Sequence, residues 1–163
     1  MCSTVEEDVG ITAAGIILFS NRCKSDLNND FDPCFLLLKC SKNGHWSPPK
    51  GMAEEDEVDN LIKTAYRETM EESGIHSKKI KIYDNFLKEI HYKAWNRRKR
   101  VVYYLGECES IPEVTISDEH SEYKWAGIEE VRKLVEFESL LQILESAYER
   151  IVNEKGKWYK QSK

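Results

Sequence analysis

No apolar run in this sequence approaches bilayer length, no two cysteines stand as a CxxC pair, and basic residues do not outnumber acidic ones. Each absence removes a class of protein. A membrane-spanning helix needs roughly 20 consecutive apolar residues, so no membrane association is expected. Cys2, Cys23, Cys34, Cys40 and Cys108 are odd in number and scattered. Zinc sites and disulfide frameworks therefore give way to reduced structural thiols, as expected of a cytoplasmic or nuclear protein. With 24 basic against 29 acidic residues, the formal net charge is −5. That excludes nucleic-acid binding through an overall positive field and leaves only a local basic patch to consider. The opening MCSTVEEDVG is acidic and runs into only a short apolar stretch, unlike a secretory leader. Internal repeats and low-complexity tracts are also missing.

What is present suits one globular domain with a substantial core, since the chain has 163 residues, 40 % of them hydrophobic. ITAAGIILFS (11–20) and CFLLLKC (34–40) predict two buried strands separated by a polar loop over 20–33. HWSPPKG (45–51) cannot be helical through Pro48 and Pro49 and predicts a stiff extended approach, with Gly51 freeing the backbone to turn. From about Asn60 to Ser73 the period becomes helical, with Ile62, Ala65, Tyr66, Thr69 and Ser73 sharing one face and Gly74 ending the helix. IKIYDNFLKEIHY, RVVYYLGECE and YKWAGI carry strand patterns, and EEVRKLVEFESLLQILESAYERIV predicts one or two amphipathic helices. Gly156 is expected to interrupt any continuation, which leaves residues 1–155 as the domain and 156–163 as a basic, frayed tail. Strands with a long internal helix and a C-terminal helix imply an α/β (α+β) layered domain.

The stretch RETMEESGI (67–75) raises a chemical question. Like charges four apart on a helix repel by a few tenths of a kcal/mol, yet Glu68, Glu71 and Glu72 fall within one arc of about 100°. That arc points away from the Ile62, Ala65 and Thr69 face. An arbitrary run of this kind is most often a solvated helix face. Here the converging carboxylates, Arg67 beside them, and Gly74 with Ile75 closing the helix argue for a hard divalent cation instead.

Gly51, Arg67, Glu68, Glu71, Glu72, Gly74 and Ile75 resemble the Nudix box, G-x5-E-x7-R-E-U-x-E-E-x-G-U with U apolar. Thr69 is less apolar than the pattern asks. The acidic residue paired with the box arginine is displaced. Nine residues rather than seven separate Glu57 from Arg67, whereas Asp59 has the right distance to Arg67 but lies two residues too far from Gly51. Because helix register changes less readily than loop length, Asp59 is the favoured partner of Arg67, with Glu57 second.

The resemblance implies a Nudix α/β/α sandwich with a mixed central sheet, and hydrolysis of a nucleoside diphosphate linked to another group. It further implies Mg2+ (or Mn2+) held by Glu68, Glu71, Glu72 and the Gly51 carbonyl, with Arg67 keeping the cluster in register. Flanking features (HWSPPKG, Tyr92 and SDEHSEYKW) resemble those of animal Nudix enzymes that cleave diadenosine tetraphosphate asymmetrically, over about Ala13 to Ile151. That similarity implies a dinucleoside polyphosphate substrate. Tyr92 and Phe137 would clamp adenine, while His45, Lys50 and Lys99 would meet phosphates. Glu119 would join the metal ligands, and base duty would be shared between Glu68 and Glu119, with Glu68 favoured. Asp118 and Glu122 rival Glu119 by chemistry alone, as Arg97, Arg98 and Arg100 rival Lys99. A monomer without stable nucleic-acid binding is expected. The competing readings are action on diphosphoinositol polyphosphates or capped RNA, and a Nudix module that binds without cutting.

Overall fold

The computed structural model describes residues 10–21, 31–94 and 96–161, the side chains of 94 and 156–161 excepted. Cys2, Cys23, most of the 20–33 loop and the last two residues lie outside the described residues. The elements run β1 (Ile11–Asn21), β2 (Pro33–Cys40), β3 (Trp46–Ser47), β4 (Lys50–Met52), α1 (Leu61–Ser73), β5 (Lys81–Ile82), β6 (Lys88–Ala94), β7 (Arg97–Glu107), β8 (His120–Gly127), α2 (Ile128–Leu134) and α3 (Glu138–Gln161).

β1 organises the sheet. It lies parallel to β7 over most of its length, from Ile11↔Lys99 to Phe19↔Glu107. Its other edge is shared: β4 pairs antiparallel at Ala13 to Gly15, and β2 pairs antiparallel at Phe19 to Asn21. β2 also carries β3 and β8, and β7 carries β5 and β6, which makes one mixed sheet. The continuous apolar run of β1 follows from burial on both faces. Ala13, Ile17 and Phe19 join the core under α2 and α3, whereas Ala14, Ile16 and Leu18 join the core under α1. The result is the expected helix, sheet, helix sandwich with two cores. Leu144 of α3 is fully buried in the first of them, where truncation to alanine costs about 2–5 kcal/mol.

Several sequence expectations need correction. Gly51 lies within β4, paired with Ala14 of β1, rather than at a turn. α1 buries Thr64, Ala65, Thr69, Glu72 and Ser73, while Ile62 and Tyr66 are only partly covered. Its inward face is thus small and polar enough to lie close to the sheet, and Glu72 belongs to it rather than to an outward acidic arc. The expected break at Gly156 is absent from α3, which continues to Gln161. Gly74, by contrast, ends α1 as expected, with φ at 75° and its N–H bonded to the Met70 carbonyl at 2.9 Å. That left-handed conformation is one that glycine adopts without steric penalty.

Candidate active site

The site forms where α1 crosses the β4 end of the sheet. Gly51 is required there by close approach: a Cβ at this position would lie 2.0 Å from Cδ of Glu68. The missing side chain lets the Glu68 carboxylate rest against the β4 backbone at Gly51.

Behind that contact, Arg67 reaches across six oxygen acceptors, both oxygens of Glu71 among them. Its Nε donates to Glu57 Oε2 at 3.0 Å and its Nη2 to Glu57 Oε1 at 2.8 Å, a two-point pairing of guanidinium with carboxylate. Nη2 also donates to the Met52 carbonyl at 2.9 Å. Nη1 donates to Glu68 Oε1 at 2.8 Å and to Glu71 at 3.2 Å. The favoured partner from the sequence, Asp59, is thereby corrected to Glu57. A 3-10 turn over Glu55–Glu57 explains the choice: the Glu54 N–H donates to Glu57 Oε1 at 3.0 Å, turning that side chain inward. The two extra residues fall after Glu57, in the bend leading to Asn60, so the loop lengthened on the helix side and kept the Gly51-to-Glu57 spacing.

Glu72 enters from the buried face of α1. Its Oε1 accepts the Lys50 N–H at 2.9 Å, and its Oε2 lies 3.8 Å from Nε2 of His120. The last carbonyls of α1 receive the segment leading into β8, whose Val114 and Ile116 join the core under α1: the Ser117 N–H donates to the Glu72 carbonyl at 3.3 Å, and the Thr115 N–H to the Ser73 carbonyl at 2.9 Å. The Glu119 carbonyl accepts the Ser41 N–H at 2.9 Å. Through these backbone bonds, residues 117–120 close one wall of the cavity.

That cavity is about 1030 Å³ and collects nearly every residue singled out from sequence: His45, Lys50, Gly51, Glu68, Glu71, Glu72, Tyr92, Lys99, Glu119 and Phe137. Arg67 stands behind the wall rather than in it. Of the rivals to Glu119, Asp118 lines the cavity too, whereas Glu122 is drawn to Lys39 at 3.3 Å. Arg97, Arg98 and Arg100 do not line it, which leaves Lys99 as the cation this hairpin contributes. Tyr92 and Phe137 are both large and exposed, at 41 % and 54 %, on opposite elements: the β6 edge strand and the link from α2 to α3. The Lys99 ammonium sits 5.6 Å from the Tyr92 ring, and the His45 ring lies 4.7 Å from that of Phe137. Sequence reasoning passed over His120 and Glu136. His120 adjoins Glu119 in SDEHSEY, and its Nδ1 is 3.1 Å from Ser117 Oγ. Glu136, 2.9 Å from His45 Nδ1, had no signal beyond lying next to Phe137.

Charge separates these carboxylates into two kinds. Glu57 is held down to about 2 by its hydrogen bonds from Arg67, which outweigh the opposing effect of burial. Glu72 is pushed up to about 7, chiefly by burial, with Glu68 and Glu119 adding repulsion against the relief from Lys50. Burial also raises Glu68, partly offset by Arg67 and reinforced by Glu71 and Glu119. Among the described residues no three carboxylate, imidazole or thiol groups stand in a ready ligating arrangement, and Arg67 Nη1 engages Glu68 and Glu71. The donor set nevertheless fits a hard divalent cation: oxygen ligands only, crowded and partly desolvated, beside a backbone that Gly51 leaves uncovered.

Comparison with known proteins gives a consistent result. Residues 11–145 match the model of the NUDIX domain. The pig bis(5'-nucleosyl)-tetraphosphatase [asymmetrical] (Sus scrofa) is 38 % identical over 144 residues, spanning 86 % of this chain and 95 % of that one. The mouse protein of the same name (Mus musculus) is 34 % identical over 143 residues, with the same coverage. Among solved structures, a binary complex of the Caenorhabditis elegans Ap4A hydrolase superposes with a TM-score of 0.78 at 26 % identity, covering 88 % of this chain and 98 % of that one.

Proposed function

This chain belongs to the NUDIX family, and from that premise we propose that its cavity binds diadenosine tetraphosphate and hydrolyses it asymmetrically to ATP and AMP. One observation carries the reading: the crowded carboxylates of α1 and an aromatic pair open into the same cavity, with His45, Lys50 and Lys99 beside them. Adenine needs flat partners and polyphosphate needs cations along its length. Tyr92 and Phe137 supply the first; Lys50 and Lys99 supply the second.

Glu68, Glu71, Glu72, Glu119 and the Gly51 carbonyl are the groups that would hold Mg2+ or Mn2+. Such a cation, when bound, neutralises phosphate oxygens and makes water a better nucleophile. Glu68 takes the proton from the attacking water, whose oxygen bonds to phosphorus as the anhydride oxygen leaves. Its raised affinity for protons suits it to that task. Glu71 and Glu68 turn away from Arg67 Nη1 when they serve, while the two bonds from Arg67 to Glu57 keep the guanidinium in place. Glu72 stays anchored by the Lys50 N–H, so the phosphate-binding loop and the acidic helix move as one unit.

Because the aromatic clamp and the carboxylates sit on fixed elements, cleavage falls at a set distance from the stacked adenosine. Incubation with Mg2+ followed by chromatography tests this directly. The tetraphosphate is expected to yield ATP and AMP, and the pentaphosphate ATP and ADP. Diadenosine triphosphate, which lacks a bond at that register, should be a poor substrate. Appearance of two ADP from the tetraphosphate, or no turnover of any dinucleotide, would overturn the reading. Tyr92→Ala should weaken binding by about 1–3 kcal/mol.

A further inference from the structure

A second depression of about 590 Å³ adjoins the cavity and shares His91, Tyr92 and Lys99 with it. Its walls are Gly10, the first residues of β1 (Ile11, Thr12) and the basic ends of the β6–β7 hairpin. Cross-strand register explains how one hairpin serves two sites. Tyr92 opposes Lys99, while Lys93 opposes Arg98 and His91 opposes Arg100. Opposed residues share a face and neighbouring residues alternate, so Tyr92 and Lys99 point one way and the other four the opposite way.

The charges in this groove are unequally matched. Arg100 donates to Glu89 at 2.7 Å, and His91 lies 3.0 Å from the same carboxylate. Among the described residues Lys93 and Arg98 have no ion-pair partner, and Lys99 faces only the Tyr92 ring. A chain with a net charge of −5 thus keeps two unpaired cations in a concave site that opens onto its cavity. Solubility does not require that arrangement. Lys99 lines both depressions, so an anion beside it stands at the rim of this groove, whose cations Lys93 and Arg98 lie one residue pair further along on the hairpin's other face.

We propose that this groove is a second phosphate site. It takes a phosphate that a nucleotide carries outside the bridge being cut, supplied by extra phosphates in a longer bridge or by a phosphate on the ribose of the bound nucleoside. The inference rests on reading the cavity as a nucleotide site. Lys93 and Arg98 provide the charge; Ile11 and Thr12 provide the floor.

The probe is inorganic tripolyphosphate in metal-free buffer, followed by residue-resolved amide NMR on the full chain. Saturable shifts are expected at Thr12, Lys93 and Arg98, and the double variant Lys93→Ser/Arg98→Ser should weaken them about tenfold, as loss of two exposed charge contacts does. Shifts confined to the Gly51–Glu72 region, or unaffected by the double variant, would overturn the proposal. Two kinetic arms identify the source. A fall in kcat/KM for diadenosine hexaphosphate relative to tetraphosphate in the double variant assigns the site to bridge phosphates. A fall for tetraphosphate carrying 3'-phosphates, relative to the unmodified compound, assigns it to the ribose. If neither ratio moves while the unaltered chain turns over the tetraphosphate, the groove proposal fails alone. If the unaltered chain turns over no dinucleotide, the nucleotide reading beneath it fails.

Discussion

Glu57 and Glu72 are both buried glutamates, 1 % and 6 % exposed, that lie on either side of the same short stretch of α1. Glu57 meets a guanidinium in two-point contact and loses its affinity for protons; Glu72 meets one backbone N–H and two other carboxylates and gains affinity. The chain thus gives Glu57 a full counter-charge in direct contact and gives Glu72 none, although Arg67 also reaches Glu68 and Glu71. A buried carboxylate without a cation is costly unless it is protonated or a cation arrives. The inner pair is therefore scaffolding. Glu72, buried beside the cavity without such a partner, would under the proposed function take its cation from solution.

The sharpest way to break this comparison is Glu68→Gln. If the outer carboxylates work on substrate, kcat should fall on the order of 10²–10⁴-fold, with the thermal midpoint of the metal-free protein unchanged or higher. A variant that keeps near-native turnover at saturating Mg2+ would reduce the cavity side to a solvated acidic face.

Next in size is Glu57→Gln, which removes the two-point carboxylate partner of Arg67 and leaves its guanidinium with Glu68 and Glu71 alone. Removing one partner of a buried pair costs about 3–5 kcal/mol, and since Arg67 keeps some exposure the lower end is expected, measured by urea unfolding. Asp59→Asn should stay within about 0.5 kcal/mol, as surface changes do. A larger effect at Asp59 than at Glu57 would reverse the pairing seen here.

The smallest effect is the most diagnostic, because the two glutamates should bend the pH profile in opposite directions. Glu57 is depressed from 4.5 to about 2. Its stabilisation is complete above about pH 4.5 and is lost as pH falls toward 2. Glu72 is raised from 4.5 to about 7, so the folded state holds the proton longer. Metal-free stability from this group falls as pH rises between those values. Glu72→Gln should accordingly raise the unfolding midpoint in chelator, by an amount that grows from pH 4.5 to 7 and vanishes when Mg2+ is added. A gain independent of pH, or one that survives Mg2+, would show that burial rather than charge governs this position.

Much of this was legible in the chain. The doubly buried run of β1, the exclusion of helix at Pro48 and Pro49, and the glycine that stops α1 follow from local rules of burial and backbone freedom, which act over a few residues; the bend at Pro49 between β3 and β4 does not. The site was legible through RETMEESGI because helical spacing alone brings three carboxylates together. Gly51 was legible as important but for the wrong cause: a glycine in sequence announces freedom to turn, whereas here it makes room for a carboxylate from α1, an effect across 17 positions of chain. His120 and Glu136 gave little signal, since their relevance comes from which backbone bonds hold the 117–120 segment and which ring Glu136 lies near.

By itself the sequence determined the order of elements, the helical register that gathers Glu68, Glu71 and Glu72, and the chemical character of each cavity residue, because these depend on side-chain type and short spacing. Only the tertiary structure decided that Glu57 rather than Asp59 holds Arg67. It alone placed Glu72 inward rather than outward, and divided the β6–β7 hairpin between an aromatic face and a basic one. Those outcomes depend on which surfaces lose water when α1 settles on the sheet and on which strand lies opposite which. Desolvation and cross-strand register are properties of pairs distant in sequence.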